Sequence, residues 1–223
     1  MTAKRFGPVS LIKHAILWAA VAMIVFPPYV LVLNAFKSKE EFSQTSVFKL
    51  PDSFLNFDNF VSVMTRAHLD RAYRNTVIII AIAVIGNVAL GTMVAYILGR
   101  FDFKLKKAVM GAYIAVSFVP TITTQVATFT VVHNLHLYNT LWASIVLHLG
   151  TNVLQIFIYL QFLSNIPKEL DEAAMMEGAS LFRIYRTIIF PLLAPATATI
   201  VIIKTIDIYN DMFIPYLYMP AQK

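Results

Sequence analysis

Lys204, Asp207 and Asp211 fall at i, i+3 and i+7 within the apolar run 192–219, with Asn210 beside them. That spacing would line three ionisable groups along one helix face. A charge at the centre of a bilayer costs on the order of 3 kcal/mol on insertion scales, so such groups must pair or meet water. A polar strip facing water and a buried ion pair bracing the helices both satisfy that demand, and the residues alone leave both open. His133, His136 and His148 carry imidazoles able to bind metal. Two lie in a short connection and one inside an apolar run, so no metal site is expected. The chain has no G-x-x-x-x-G-K-[ST] phosphate loop, no nucleophile elbow and no zincin pattern. It is therefore expected to be no enzyme and to carry no cofactor of its own.

Composition says where such groups must sit. Of 223 residues, 58% are hydrophobic and 13% charged, with a formal net charge of +6 and no cysteine. Mean hydropathy is +0.69. The charged share is about half that of soluble domains, which makes the fold class an all-α, polytopic membrane bundle. Basic residues gather at the ends of the apolar runs, which fits membrane lipids as partners and no nucleic acid. Without cysteine, disulfides and thiolate metal sites are excluded. The first apolar run is too long for a cleavable signal and ends in no small-residue cleavage site.

Five apolar runs are long enough to cross a hydrocarbon layer of about 30 Å: 15–36, 75–98, 108–132, 140–162 and 192–219. A basic arm, 1–14, carries Lys4, Arg5 and Lys13, and 15–223 is expected to form one transmembrane domain. Pro27-Pro28 and Pro120 are expected to bend the first and third runs. Gly86, Gly91 and Ala95 give the second run a small face for close helix packing. The connection 37–74 is long and polar, with an aromatic, turn-rich centre at Phe54–Phe60. Lys and Arg mark the arm, the connection holding Arg100, Lys104, Lys106 and Lys107, and the loop 165–191 with Lys168, Arg183 and Arg186; 133–139 has none. The positive-inside rule then places the N-terminus and the loop 165–191 in the cytoplasm.

That loop, NIPKELDEAAMMEGASLFRIYRTIIFP, is a charged interruption between two apolar runs. Pro167 suits the first turn of a helix over 168–177, and Gly178 can end it in a left-handed conformation. Ser180 is a natural cap for a second helix, with Leu181, Ile184, Tyr185 and Ile188 as its apolar stripe. Arg183 and Arg186 lie off the stripe on a common face. Two short helices joined by a glycine elbow offer a surface that a soluble partner can grip.

Glu172-Ala173-Ala174, then Gly178 after three residues, Ile188 after nine more and Pro191 at the close resemble the EAA loop of ABC importer permeases. Phe190 stands where that family usually has Leu. The flanks Pro167-Lys168-Glu169-Leu170 and Phe182-Arg183-Ile184 resemble the carbohydrate-uptake branch, of maltose and multiple-sugar type. So do the aromatic segment 54–60 and Tyr209-Asn210-Asp211 with Phe213 and Pro215, Tyr209 standing where Trp is frequent.

The resemblance implies a multi-pass permease subunit of an ATP-driven importer for a sugar or oligosaccharide, in the inner (plasma) membrane of a prokaryote. It implies a second homologous permease, two cytoplasmic ATPase subunits that bind the ATP and Mg, and an extracytoplasmic substrate-binding protein. By the same resemblance Leu170, Glu172, Ala173, Ala174, Gly178 and Arg183 form the ATPase-coupling surface. Lys204, Asp207, Tyr209, Asn210 and Asp211 line the translocation path. The family usually has six spans, so the five legible here leave one expected helix unaccounted for. Three rivals stand beside this reading: an ion-coupled secondary transporter using Lys204, Asp207 and Asp211, an ABC permease for another polar solute, and a membrane scaffold. The scaffold would explain the loop and leave the charged strip idle.

Overall fold

The computed structural model describes residues 8–66 and 68–221, and every element among them is helical. Lys4 and Arg5 of the expected basic arm lie outside the described residues. Helix is already present at Pro8, so Lys13 belongs to the first helix and not to an arm. The chain divides into two compact units, one up to Asp70 and one from Arg71.

In the first unit, α1 (Pro8–Ala35) runs on through Pro27 and Pro28, which therefore do not end it. Ser38 caps α2 (Lys39–Gln44) by accepting the Glu41 N–H at 3.1 Å. The aromatic segment does more than float in a loop. Phe54, Phe57 and Phe60 gather around Phe36 with ring centroids 5.3–5.9 Å apart. Asn59, on α3 (Asp58–Arg66), donates to the carbonyl of Ala35, left open at the end of α1, and to that of Lys37 just beyond it. The Lys37 side chain is buried and donates to the Ser46 carbonyl at 2.9 Å.

The longest helix of the second unit is α4 (Leu69–Arg100), whose first two residues belong to the first unit. Its small residues are used as the spacing suggests. Gly86 lies beneath Leu149, Gly91 beneath Gln155 and Gly99 beneath Leu163, while Ala95 is fully buried. The remaining apolar runs are broken helices. The third is α5 (Lys106–Ser117), a 3₁₀ turn at Thr121–Thr124 and α6 (Gln125–Asn134), bent by 97° at Pro120. The fourth is α7 (Leu141–Leu149) and α8 (Val153–Ser164), bent by 47°. Asn152 caps α8 through the Gln155 N–H at 2.8 Å. Asn87 of α4 reaches the Gly150 carbonyl freed at that bend, at 2.8 Å. Irregular backbone at membrane depth survives where such partners re-satisfy it.

Where a single fifth helix was expected, the chain gives a 74° bend between 181–192 and 194–210, then a second break at Asp211. Among the described residues, two continuous helices are long and apolar enough to cross a membrane, and each of the three bent pairs would add one span.

Candidate functional site

The loop between the fourth and fifth runs folds as α9 (Glu169–Met176), an elbow, and α10 (Leu181–Ile184). Glu169, Asp171 and Glu172 occupy the first turn of α9, where the exposed N–H groups favour negative charge. At its other end Gly178 adopts φ +79°. Its N–H reaches the Met175 carbonyl at 2.9 Å, and the Ala179 N–H reaches Ala174 at 3.0 Å, the paired bonds of a Schellman cap. A Cβ at Gly178 would meet no atom within 4 Å, so backbone conformation and not crowding calls for glycine.

Ser180 opens α10 by accepting the Arg183 N–H at 3.4 Å. The chain then widens into a π turn, Tyr185–Ile189, before α11 (Phe190–Leu192). The wider turn moves the buried position from the expected Ile188, half-buried, to Ile189, fully buried. Leu181, expected on the inner stripe, is exposed.

Leu170, Glu172, Ala173, Met176, Phe182 and Arg183 make up the hairpin's outer surface, with Met176 90% exposed. Ala174 turns the other way, half-buried against the core of its own bundle. Two residues that the sequence did not mark as part of this site hold the hairpin down. Arg100, the last residue of α4, places Nε 2.7 Å from Asp171 Oδ2, both side chains nearly inaccessible. The N–H does not point along that line, so the contact is charge against charge and not an aligned hydrogen bond. A second guanidinium nitrogen donates to the Ile166 carbonyl at 2.9 Å. Burial pushes the Asp171 carboxyl above the usual carboxylate range, Arg100 opposing the rise and Glu172 adding to it. On the far side of the elbow, Tyr185 and Thr92 of α4 share a buried hydroxyl–hydroxyl bond of 2.8 Å. No local signal marks Arg100 and Asp171 as partners, because they lie far apart in sequence and meet only in the fold.

The charged strip of the fifth run is rearranged by the break. Lys204 and Asp207 on α12 (Ala194–Asn210) pair at 3.3 Å. Asp211 leaves the helix. Its Oδ1 accepts the N–H groups of Phe213 and Ile214 at 2.8 and 3.2 Å, capping α13 (Phe213–Tyr218), while Oδ2 lies 3.3 Å from His148 Nε2. Three of the five expected path residues, Lys204, Asp207 and Asp211, line an open cavity of about 780 Å³ together with Gln125, His148 and Asn152. Tyr209 and Asn210 lie outside that lining, and Asn210 donates back to the Ile206 carbonyl at 2.9 Å. His133 stacks on Phe129 and does not approach His148's site.

A bundle of broken apolar helices with a polar cavity and an externally presented, anchored hairpin defines a membrane permease of the transporter type. Residues 87–221 match the family profile "Binding-protein-dependent transport system inner membrane component", and the chain belongs to that family of ABC importer permeases. It is 35% identical to the melibiose/raffinose/stachyose import permease protein MelC of Bacillus subtilis, over 93% of this chain and 75% of that protein. It is 31% identical to a probable starch degradation products transport system permease protein, AmyC, of Thermoanaerobacterium thermosulfurigenes, over 86% of this chain and 70% of that one. Among solved structures, a bacterial ABC transporter involved in import of the acidic polysaccharide alginate superposes with a TM-score of 0.83 at 21% identity. That match covers all of this chain and 78% of the other, and it supports the fold. Membership makes the chain an inner-membrane permease component working with an ATPase and a substrate-binding protein.

Proposed function

We propose that this chain is the permease subunit of an importer for a sugar or oligosaccharide, paired with a second, related permease and driven by two cytoplasmic ATPase subunits. ATP and Mg bind to those partners, and the N-terminus and the 165–191 hairpin face the cytoplasm. The observation that carries the reading is the outward surface of the hairpin. Leu170, Glu172, Ala173, Met176 and Phe182 are exposed on two short helices while the inner side is fastened to α4. Apolar and acidic groups presented together at a rigid corner suit a cleft on a soluble protein. The names of the relatives favour a saccharide as substrate. Closure of the ATPase pair moves the hairpins, and the broken helices switch between inward- and outward-open states, a population shift set by differential binding. Lys204, Asp207 and Asp211 offer hydrogen bonds to a hydroxyl-rich solute at the cavity wall.

The test is reconstitution of the chain with its co-purifying permease, ATPase and binding protein in proteoliposomes, offering raffinose, maltotriose and an arabino-oligosaccharide. ATP-dependent uptake of at least one, abolished when the ATPase is left out, is the expected result. Uptake by this chain alone, driven by an ion gradient, would overturn it.

A further inference from the structure

The hairpin is fastened to one helix at two points, and those points straddle the elbow. Thr92, Tyr96 and Arg100 fall at i, i+4 and i+8 on α4, so they form one stripe along its last two turns. Arg100 holds Asp171 on α9, before Gly178. Thr92 holds Tyr185, after Gly178. Between them the Tyr96 ring packs on Tyr185 at 5.7 Å and edge-on to Phe101 at 5.5 Å. The hairpin's path to the bundle is therefore shorter through these side chains than through the backbone that joins it to α8 and α12.

An ion pair is a poor choice if stability is all that is needed. Two buried charges lose hydration that their attraction does not fully return, and an apolar pair of like volume often serves as well or better. What the pair supplies is a fixed separation. A guanidinium that faces a carboxylate and also donates to the Ile166 carbonyl is held from two directions.

We propose that Arg100 is a positioning residue for coupling: through Asp171 it passes the displacement of α9 directly to α4, so that the hairpin and the longest helix of the second unit move as one body. The inference rests on the proposed function, because it concerns force received from an ATPase.

The experiment uses the whole transporter in proteoliposomes and reads uptake of the same three saccharides per ATP hydrolysed, with ATPase co-purification as the measure of assembly. In Arg100→Leu/Asp171→Leu, assembly and ATP hydrolysis are expected to stay near wild type while uptake per ATP falls by more than twofold and up to roughly 30-fold, the range for a coupling residue. Arg100→Lys, or the exchange Arg100→Asp/Asp171→Arg, restores part of the lost ratio because a charge pair is present again. Should the double-leucine variant fail to assemble, the near-isosteric Asp171→Asn carries the same expectation. An uptake-to-ATP ratio within about twofold of wild type in an assembled variant that lacks the pair overturns the inference, since coupling energies of this kind exceed that. Loss of assembly in every variant, with the ratio unchanged per assembled complex, also overturns it by making the pair merely structural. A wild-type complex without ATP-driven uptake overturns the proposed function and this inference with it, so the two failures are told apart by the wild-type control.

Discussion

Replacing Gly178 tests the elbow with little else disturbed. A Cβ there meets no neighbour within 4 Å, so the perturbation is confined to the backbone torsion. At φ +79° an L-residue bears a cost of about 1–2 kcal/mol, and a β-branched one sits at the upper end or beyond. The elbow is closed by the Gly178–Met175 and Ala179–Ala174 bonds, each worth a net 0.5–1.5 kcal/mol or about that. Strain in Gly178→Val is thus comparable to the whole local cap, and the bent form loses roughly a factor of 5–30 against straighter ones. Gly178→Asn should be mild, because asparagine enters the left-handed region readily. The assay is saccharide uptake normalised to permease abundance in the membrane, for Val, Ala and Asn in parallel. The expected order is Asn above Ala above Val, with abundance unchanged. Equal normalised uptake for Val and wild type would refute the reasoning, since it would mean that the bend is not needed or not made by this residue.

Gly91→Ala should lower the thermal stability of the detergent-solubilised protein by about 1–3 kcal/mol. The new methyl displaces the buried Gln155 amide from the Asn87 carbonyl, a 3.1 Å bond, and a thermal melt unchanged from wild type would contradict the packing. Asp211→Asn keeps an acceptor for the Phe213 and Ile214 N–H groups but loses the charge facing His148. Melting should therefore shift by less than about 1 kcal/mol while uptake falls, and the reverse pattern would make Asp211 a cap alone. For Asp171, burial raises the carboxyl's pKa in the folded chain. As pH falls through that raised value the native state takes up the proton before the unfolded chain does, so stability rises on acidification in that window while the ion pair with Arg100 is lost. Uptake per ATP in wild type should decline with falling internal pH before ordinary carboxylates titrate. Asp171→Asn should give a flat ratio across the same range, and parallel profiles would sink the assignment.

The hairpin was legible because its signals are local. Pro167, Gly178 and Ser180 each specify a backbone conformation within a residue or two, and the fold uses Gly178 and Ser180 in the way their chemistry suggests. The small face of α4 was legible for a similar reason, since Gly86, Gly91 and Ala95 leave room that a neighbouring helix fills. The breaks were less so. Pro120 announces a bend but not one of 97°, and nothing in the polar composition of Asp211 tells a helix-lining carboxylate from one that caps the next helix. The π turn at Tyr185–Ile189 has no marker in its residue types, so the 3.6-residue stripe overran and chose Ile188 in place of Ile189. Arg100 with Asp171, Thr92 with Tyr185 and Asp211 with His148 are tertiary pairs, and one-dimensional spacing carries no trace of them.

That widened turn also sets how the chain tolerates changes of length. Removing one residue from a regular helix such as α4 swings everything beyond it by about 100° and pulls its buried side chains to the wrong side. Between Tyr185 and Ile189 the helix already carries surplus backbone, so a one-residue deletion can be absorbed by tightening to ordinary pitch. The segment leading into α12 is thus a place where the chain is expected to shorten by one residue without rotating the helix that bears Lys204 and Asp207.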